Sequence, residues 1–162
     1  MCYANSVLGA RSNREGGPSA LAAALTGVTP AYGYHLDLER TPDITVQVTT
    51  ELQGNDDFGA LGKAIGDRLV SAGMKKVPYI RGVPEASLEA LKSLSASIAT
   101  YGGVALFHME GITPEVCRVS PHKDGLTIGQ AELDQAKHEM SDPAAGDADF
   151  VTLGCQIGRA HV

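Results

Sequence analysis

Residues 43–73, DITVQVTTELQGNDDFGALGKAIGDRLVSAG, carry the reading that decides the fold. Over residues 43–50, Ile44, Val46 and Val48 alternate with polar residues, the period of a strand with one buried face. Gly54 and Asn55 end it. Residues 56–72 then place Phe58, Leu61, Ile65 and Leu69 on one helical face, despite Gly59, Gly62 and Gly66, and Gly73 is the expected C-terminal cap. A strand followed at once by an amphipathic helix is the repeating unit of an α/β fold. The unit recurs downstream: residues 76–80 read as a short strand, and Gly82 to Pro84 as a turn. The next helix carries Leu88, Leu91, Leu94, Ile98 and Tyr101 as one stripe and ends at Gly102-Gly103. Residues 104–108, VALFH, have the continuous apolar character of a strand buried on both faces.

Further on, Gly111 to Pro114 reads as a turn, and residues 118–126 as irregular or weakly stranded. Thr127 with Gln130 forms a capping-box signature for a helix to about Met140, which Asp142-Pro143 stops. Residues 149–154, DFVTLG, read as another buried strand, ending at Cys155. Strands alternating with helices of this length imply crossover connections and a mainly parallel sheet covered by helices on both faces. No internal repeat or low-complexity tract interrupts the pattern.

Upstream lies a stretch of different chemistry, residues 4–22, ANSVLGARSNREGGPSALA. Pro18 suits the first helical position, so a helix is expected from near Gly17 through Leu25, ending at Gly27. A helix start leaves backbone N–H groups unpaired and carries partial positive charge, and Gly16 and Gly17 keep side chains away from it. Arg11 and Arg14 add planar forks suited to a carboxylate or phosphate, while Ser12 and Asn13 supply neutral donors. Glu15 is placed to pair an arginine or to receive a substrate's amine or hydroxyl. The competing reading is a structural turn whose arginines reach solvent or pair locally. Met1 and Cys2 run straight into this stretch, with no supporting element expected before it. After the helix, Thr29-Pro30 turns the chain into residues 32–38, where His35 sits among aromatic and apolar neighbours.

The chain of 162 residues has an ordinary globular balance, 43% hydrophobic and 20% charged. A net charge of -6 argues against nucleic acid or an anionic membrane as partner, so the basic cluster at Arg11 and Arg14 is ligand-sized. No stretch reads as a spanning helix or signal peptide. The cysteines, Cys2, Cys117 and Cys155, lie far apart without C-x-x-C spacing, which fits a reducing, cytoplasmic setting.

Residues 4–27, ANSVLGARSNREGGPSALAAALTG, followed by TPAYGYHLDLER, VALFHMEGITPE and DFVTLGC in that order, closely resemble the aconitase X catalytic-domain family, a dehydratase branch of the aconitase superfamily. The resemblance runs from about Cys2 to Cys155, a partial catalytic domain over residues 1–155. It implies an incomplete three-layered α/β aconitase-like domain with a mainly parallel sheet, completed by a small swivelling domain or subunit. The implied activity is that of a hydro-lyase dehydrating cis-3-hydroxy-L-proline. Mevalonate 5-phosphate, the substrate of archaeal relatives, is the runner-up, and a noncatalytic anion-binding module is the reading from another class. The first substrate calls for an amine acceptor such as Glu15, the second for a phosphate cradle. The implied substrate-binding residues are Arg11, Ser12, Asn13, Arg14, Glu15, Gly16, Gly17 and His35, with no catalytic base assignable. Ser12 stands where the family usually has threonine and retains the hydroxyl.

The resemblance also implies an iron or iron-sulfur centre in the complete protein, held by cysteines from separate places. One of them follows a strand in the pattern Gly-Cys-Pro-His, which Gly154 and Cys155 match before Gln156 departs from it. Cys155 is therefore the expected metal ligand, and alone it cannot hold a cluster, so a chain of this extent is expected to retain no cofactor and no activity by itself. Cys2 and Cys117 match no ligand position. His108, at a strand end, is a second-rank site candidate, more often a hydrogen-bonded packing residue; Asp37 and Glu39 read as a solvated edge that the family reading turns toward the cleft. The tail at residues 156–162, QIGRAHV, is the translation of a string resembling a sequencing-adapter read, and these residues are expected to be non-native.

Overall fold

The unit at residues 43–73 forms the centre of the molecule as β1 (Ile44–Val48) and α3 (Asn55–Ser71), with Gly73 at φ +62° just past the helix end. The structure, a computed structural model, describes residues 1–73, 77–114 and 125–142. In chain order the other elements are α1 (Cys2–Ser6), α2 (Gly17–Thr26), 3-10 turns at Gly33–His35 and Leu38–Arg40, β2 (Pro78–Arg81), α4 (Leu88–Gly102), β3 (His108–Met109), β4 (Gly125–Ile128) and α5 (Gln130–Met140). The strands form a four-stranded, wholly parallel sheet in the order β3-β2-β1-β4. No described helix is long and apolar enough to cross a membrane.

Register decides which residues share a face. Met109, Ile80, Val46 and Leu126 align across the sheet, and Val46, Ile80 and Met109 are fully buried with Ile128 in the core against α3, α4 and α5. The next row, His108, Tyr79, Thr45 and Gly125, points to the opposite face. Because β1→α3→β2 and β2→α4→β3 run in one direction across the sheet, right-handed crossovers put both helices on the same side. Helix α5 joins them there by packing on α3. The expectation of helices on both faces is therefore met on one face among the described residues, and Gln47 of β1 stays exposed on the other.

Helices α3 and α4 touch through small residues. A Cβ on Gly62 would lie 2.7 Å from the Ser97 Cβ and 2.8 Å from the Leu94 carbonyl oxygen, and one on Gly66 would lie 2.6 Å from the Gly102 nitrogen. The glycines that weaken α3 as an isolated helix are thus its contact surface with α4. Lys63, on the same helix, is held between Asp67 at 2.6 Å and Glu139 of α5 at 2.7 Å, with its ammonium 4.7 Å from the Tyr101 ring centre.

Three expectations are corrected. The strand read at residues 104–108 is only His108–Met109, because the preceding backbone bonds elsewhere: the Ala105 carbonyl accepts from Asn5 Nδ2 at 2.9 Å and the Phe107 N–H donates to Ser6 Oγ at 2.9 Å. Those partners lie on α1, so the polar stretch does have a supporting element before it, packed on α4. Helix α5 is capped by Gly129, whose N–H donates to Glu132 at 3.0 Å, while Thr127 belongs to β4. The readings at residues 118–124 and 149–154 fall outside the described residues.

Candidate active site

The polar stretch is built upward from Asn5, a fully buried side chain on α1. Its Oδ1 accepts the Ser12 N–H at 3.0 Å and its Nδ2 donates to the Ser12 carbonyl at 2.8 Å. Ser12 Oγ donates to Glu15 Oε2 at 2.9 Å and receives the Arg14 N–H at 3.3 Å. The Asn13 N–H reaches the same Glu15 oxygen at 2.8 Å. The Asn13 carboxamide joins the loop to the next segment, donating to the Tyr32 carbonyl at 3.1 Å and accepting the Tyr34 N–H at 2.6 Å.

Glu15 is the hub. Its Oε1 lies 3.0 Å from His35 Nε2 and accepts the Tyr32 hydroxyl at 3.3 Å. Desolvation pushes the carboxyl upward, but the hydrogen bonds from the loop backbone, Ser12 and Asn13 outweigh it and hold the group down at about 2. The other ring nitrogen of His35, Nδ1, faces the Pro30 carbonyl at 2.7 Å. Both neighbours are acceptors, so a ring nitrogen bonds either of them only through an N–H. The Tyr32 ring packs edge-on against it at 5.4 Å.

The arginines point in different directions. Arg11 donates to the His35 carbonyl at 2.8 Å and pairs with Asp37; its side chain is 41% exposed and that of Asp37 86%. Arg14 holds a left-handed backbone at φ +68°, uncommon for a residue with a side chain, and its guanidinium donates to the Gly103 carbonyl at 2.5 Å, past the end of α4. Helix α2 begins at Gly17 after an extended Gly16 and ends at Gly27 with φ +70°, as the sequence implies. Gly17 has φ +56°, and a Cβ on Gly16 would meet nothing within 4 Å, so the helix start opens to solvent. Ser12, Asn13, Glu15 and His35 are thus one hydrogen-bonded unit, Arg11 borders it, and Arg14 leaves it for α4.

The histidine candidates separate. His108 is fully buried with Nε2 2.6 Å from the Arg40 carbonyl, which is the packing role. The sequence reading missed Asn5 and Arg40: Arg40 is buried and donates to the Tyr34 and Asn5 carbonyls, each at 3.3 Å. An arginine beside HLDLE reads as surface, and no periodicity marks a side chain that bonds backbone. A cleft of about 620 Å³ at the carboxyl ends of β1 and β2 is lined by Thr49, Thr50, Glu51, Gln53 and Glu85 among others. Among the described residues its lining holds two carboxylates and no cation, and none of residues 11–17 or His35 borders it.

An iron-sulfur cluster is held mainly by cysteine thiolates, and Cys2 is poorly placed to supply one. Its side chain is buried beside Ser6 Oγ at 3.9 Å, and burial pushes the thiol up to about 11. No group of three or more possible ligands clusters among the described residues, which do not include Cys117 or Cys155.

Family models described as the aconitase X first domain and the aconitase X second domain match residues 1–38 and 42–138. The chain belongs to the aconitase X family. The first match ends at the start of the Leu38–Arg40 turn and the second begins between that turn and β1, so residues 11–17 lie in the first-domain match and the sheet in the second. The phosphomevalonate dehydratase large subunit of Methanothermobacter thermautotrophicus is 46% identical over 155 residues, covering 94% of this chain and 37% of that protein. The cis-3-hydroxy-L-proline dehydratase of Pseudomonas aeruginosa is 33% identical over 162 residues, covering 94% of this chain and 27% of that protein. The crystal structure of Thermococcus kodakaraensis aconitase X in its holo-form superposes with a TM-score of 0.74 at 38% identity, over 86% of this chain and 36% of that one. This aconitase X chain therefore spans between about a quarter and little more than a third of the length of these relatives.

Proposed function

We propose that this chain supplies the substrate-anion site of a hydro-lyase that dehydrates mevalonate 5-phosphate. The observation that carries the choice of substrate is the saturation of Glu15. Its oxygens are occupied by Ser12, Asn13, Tyr32 and His35, so no acceptor remains there for the ring amine of cis-3-hydroxy-L-proline. The greater identity to phosphomevalonate dehydratase large subunits supports the same choice. Glu15 acts instead as the internal acceptor that fixes His35 and the loop donors. Arg11 is the group able to exchange partners: an exposed ion pair contributes only about 0.2–1 kcal/mol, so a substrate carboxylate or phosphate replaces Asp37 at little cost. The glycine-flanked start of α2, further along the same loop, leaves backbone N–H groups open to solvent.

An iron centre with Cys155 among its ligands belongs to the complete enzyme in this reading, and the described residues contribute no ligand to it. The partner is a small subunit or domain that completes the site, as the term large subunit in the relatives' names implies. The test is turnover by the complete large subunit assembled with its small partner. Dehydration of mevalonate 5-phosphate with none of cis-3-hydroxy-L-proline is expected, and the reverse overturns the assignment. An iron assay on the same preparation separates both enzymes from a noncatalytic anion-binding module, which would hold no metal.

A further inference from the structure

We propose that Asn5 is a positioning residue for the substrate loop: its buried carboxamide grips the backbone of Ser12, ties it to Ala105, and so sets where Ser12, Asn13 and Glu15 present their polar groups. The inference rests on the reading of residues 11–17 as the substrate loop. A primary amide has two donor hydrogens and one acceptor oxygen. Here the hydrogens go to the Ser12 carbonyl at 2.8 Å and the Ala105 carbonyl at 2.9 Å, and the oxygen takes the Ser12 N–H at 3.0 Å. Binding both the N–H and the C=O of one residue is what a neighbouring strand does, so Asn5 stands in for one residue of a strand. The loop thereby gains a fixed point in the core, since Asn5 is fully buried and Ala105 leads into β3.

What hangs from that point is the site. Ser12 Oγ bonds Glu15 at 2.9 Å, and Glu15 in turn faces His35 at 3.0 Å. A second strut reaches the same place from the other side: Arg40 bonds the Asn5 and Tyr34 carbonyls, and Tyr34 N–H is held by Asn13 at 2.6 Å. Neither Asn5 nor Arg40 lies on the exposed side where a ligand would enter, so both act through other residues.

The test uses the complete enzyme and reads two quantities. Backbone amide exchange in the wild type is expected to show Ser12 protected at least about tenfold beyond its unstructured rate, although the loop lies at the surface. Exchange of Ser12 at the unstructured rate overturns the proposal without any variant. In Asn5→Ala, exchange at Ser12 and Asn13 is expected to accelerate while amides of Ile80 and Leu94 keep their protection. The KM for mevalonate 5-phosphate is expected to rise about tenfold, with a smaller change in kcat. An unchanged KM, or acceleration spread equally over core and loop amides, makes Asn5 a stabilising residue only and overturns the positioning role. An enzyme inert toward mevalonate 5-phosphate ends the substrate reading instead, and the exchange pattern then decides for Asn5 by itself.

Discussion

Replacing Gly62 by alanine tests the close contact between α3 and α4. The added Cβ would stand 2.7 Å from the Ser97 Cβ, 2.8 Å from the Ile98 nitrogen and 2.8 Å from the Leu94 carbonyl oxygen. Carbon contacts settle at about 3.5–4.0 Å, and two of these neighbours are backbone, so α4 must retreat by roughly 1 Å rather than turn a side chain aside. Such overpacking costs about 1–3 kcal/mol, and the better helix propensity of alanine returns at most about 1 kcal/mol. Because the contact is with backbone, the cost belongs in the upper part of that range, giving a net loss of about 1–2 kcal/mol. Gly59→Ala is the matched control. There the nearest atom is the Ser93 hydroxyl at 3.1 Å, the end of a side chain that can rotate, so the same propensity gain leaves stability within about 0.5 kcal/mol of the parent. Urea denaturation of the complete subunit, followed by far-ultraviolet circular dichroism, should place the Gly62→Ala midpoint clearly below that of Gly59→Ala. Equal midpoints would refute the glycine-mediated contact between α3 and α4.

The other predictions concern the site and its supports. Glu15 has its folded pKa lowered from 4.5 to about 2, so its stabilisation is complete above about 4.5 and is lost as pH falls through about 2; Glu15→Gln should remove that part of the acid slope in urea midpoints measured across this range, and an unchanged slope would deny the carboxylate its role. Arg11→Lys keeps the charge but loses the planar fork, and should lower kcat/KM of the complete enzyme about tenfold, against no change for Arg68→Lys, whose partner Glu132 lies 3.2 Å away on the far side of the helix layer. Arg14→Lys separates two readings: lost stability with normal kcat/KM assigns Arg14 to bracing Gly103, and lost kcat/KM at normal stability returns it to the substrate. Lys63→Met should cost no more than about 1 kcal/mol, because Asp67 and Glu139 are close to half exposed and water takes over their charges.

Much of this architecture is legible because burial leaves a period. Phe58, Leu61, Ile65 and Leu69 mark α3, the stripe from Leu91 to Ile98 marks α4, and Gly27, Gly73 and Gly103 sit at left-handed positions where helices end. What the period hides is the work of single polar groups. VALFH reads as a strand by composition, yet Asn5 and Ser6 take the hydrogen bonds that a neighbouring strand would supply. Gly59, Gly62 and Gly66 read as weak points in a helix, when their value lies in the partner they admit. At the site, the residue types are legible from the Arg/Gly-rich stretch, but the division of labour is not. Whether an arginine meets a ligand or a carbonyl depends on residues such as Gly103 and His35, which lie far from it in sequence.

Helix α2 gives the site a dependence on its surroundings. None of its residues is buried; Leu21 is 61% and Leu25 78% exposed. A helix of 10 residues that buries no side chain is marginal in water, because nucleation is unfavourable and few hydrogen bonds follow it. The backbone donors at its start are aligned only while the helix is formed. A partner that covered Leu21 and Leu25 would therefore also tighten the proposed anion site, by removing the entropy that the ligand would otherwise have to overcome.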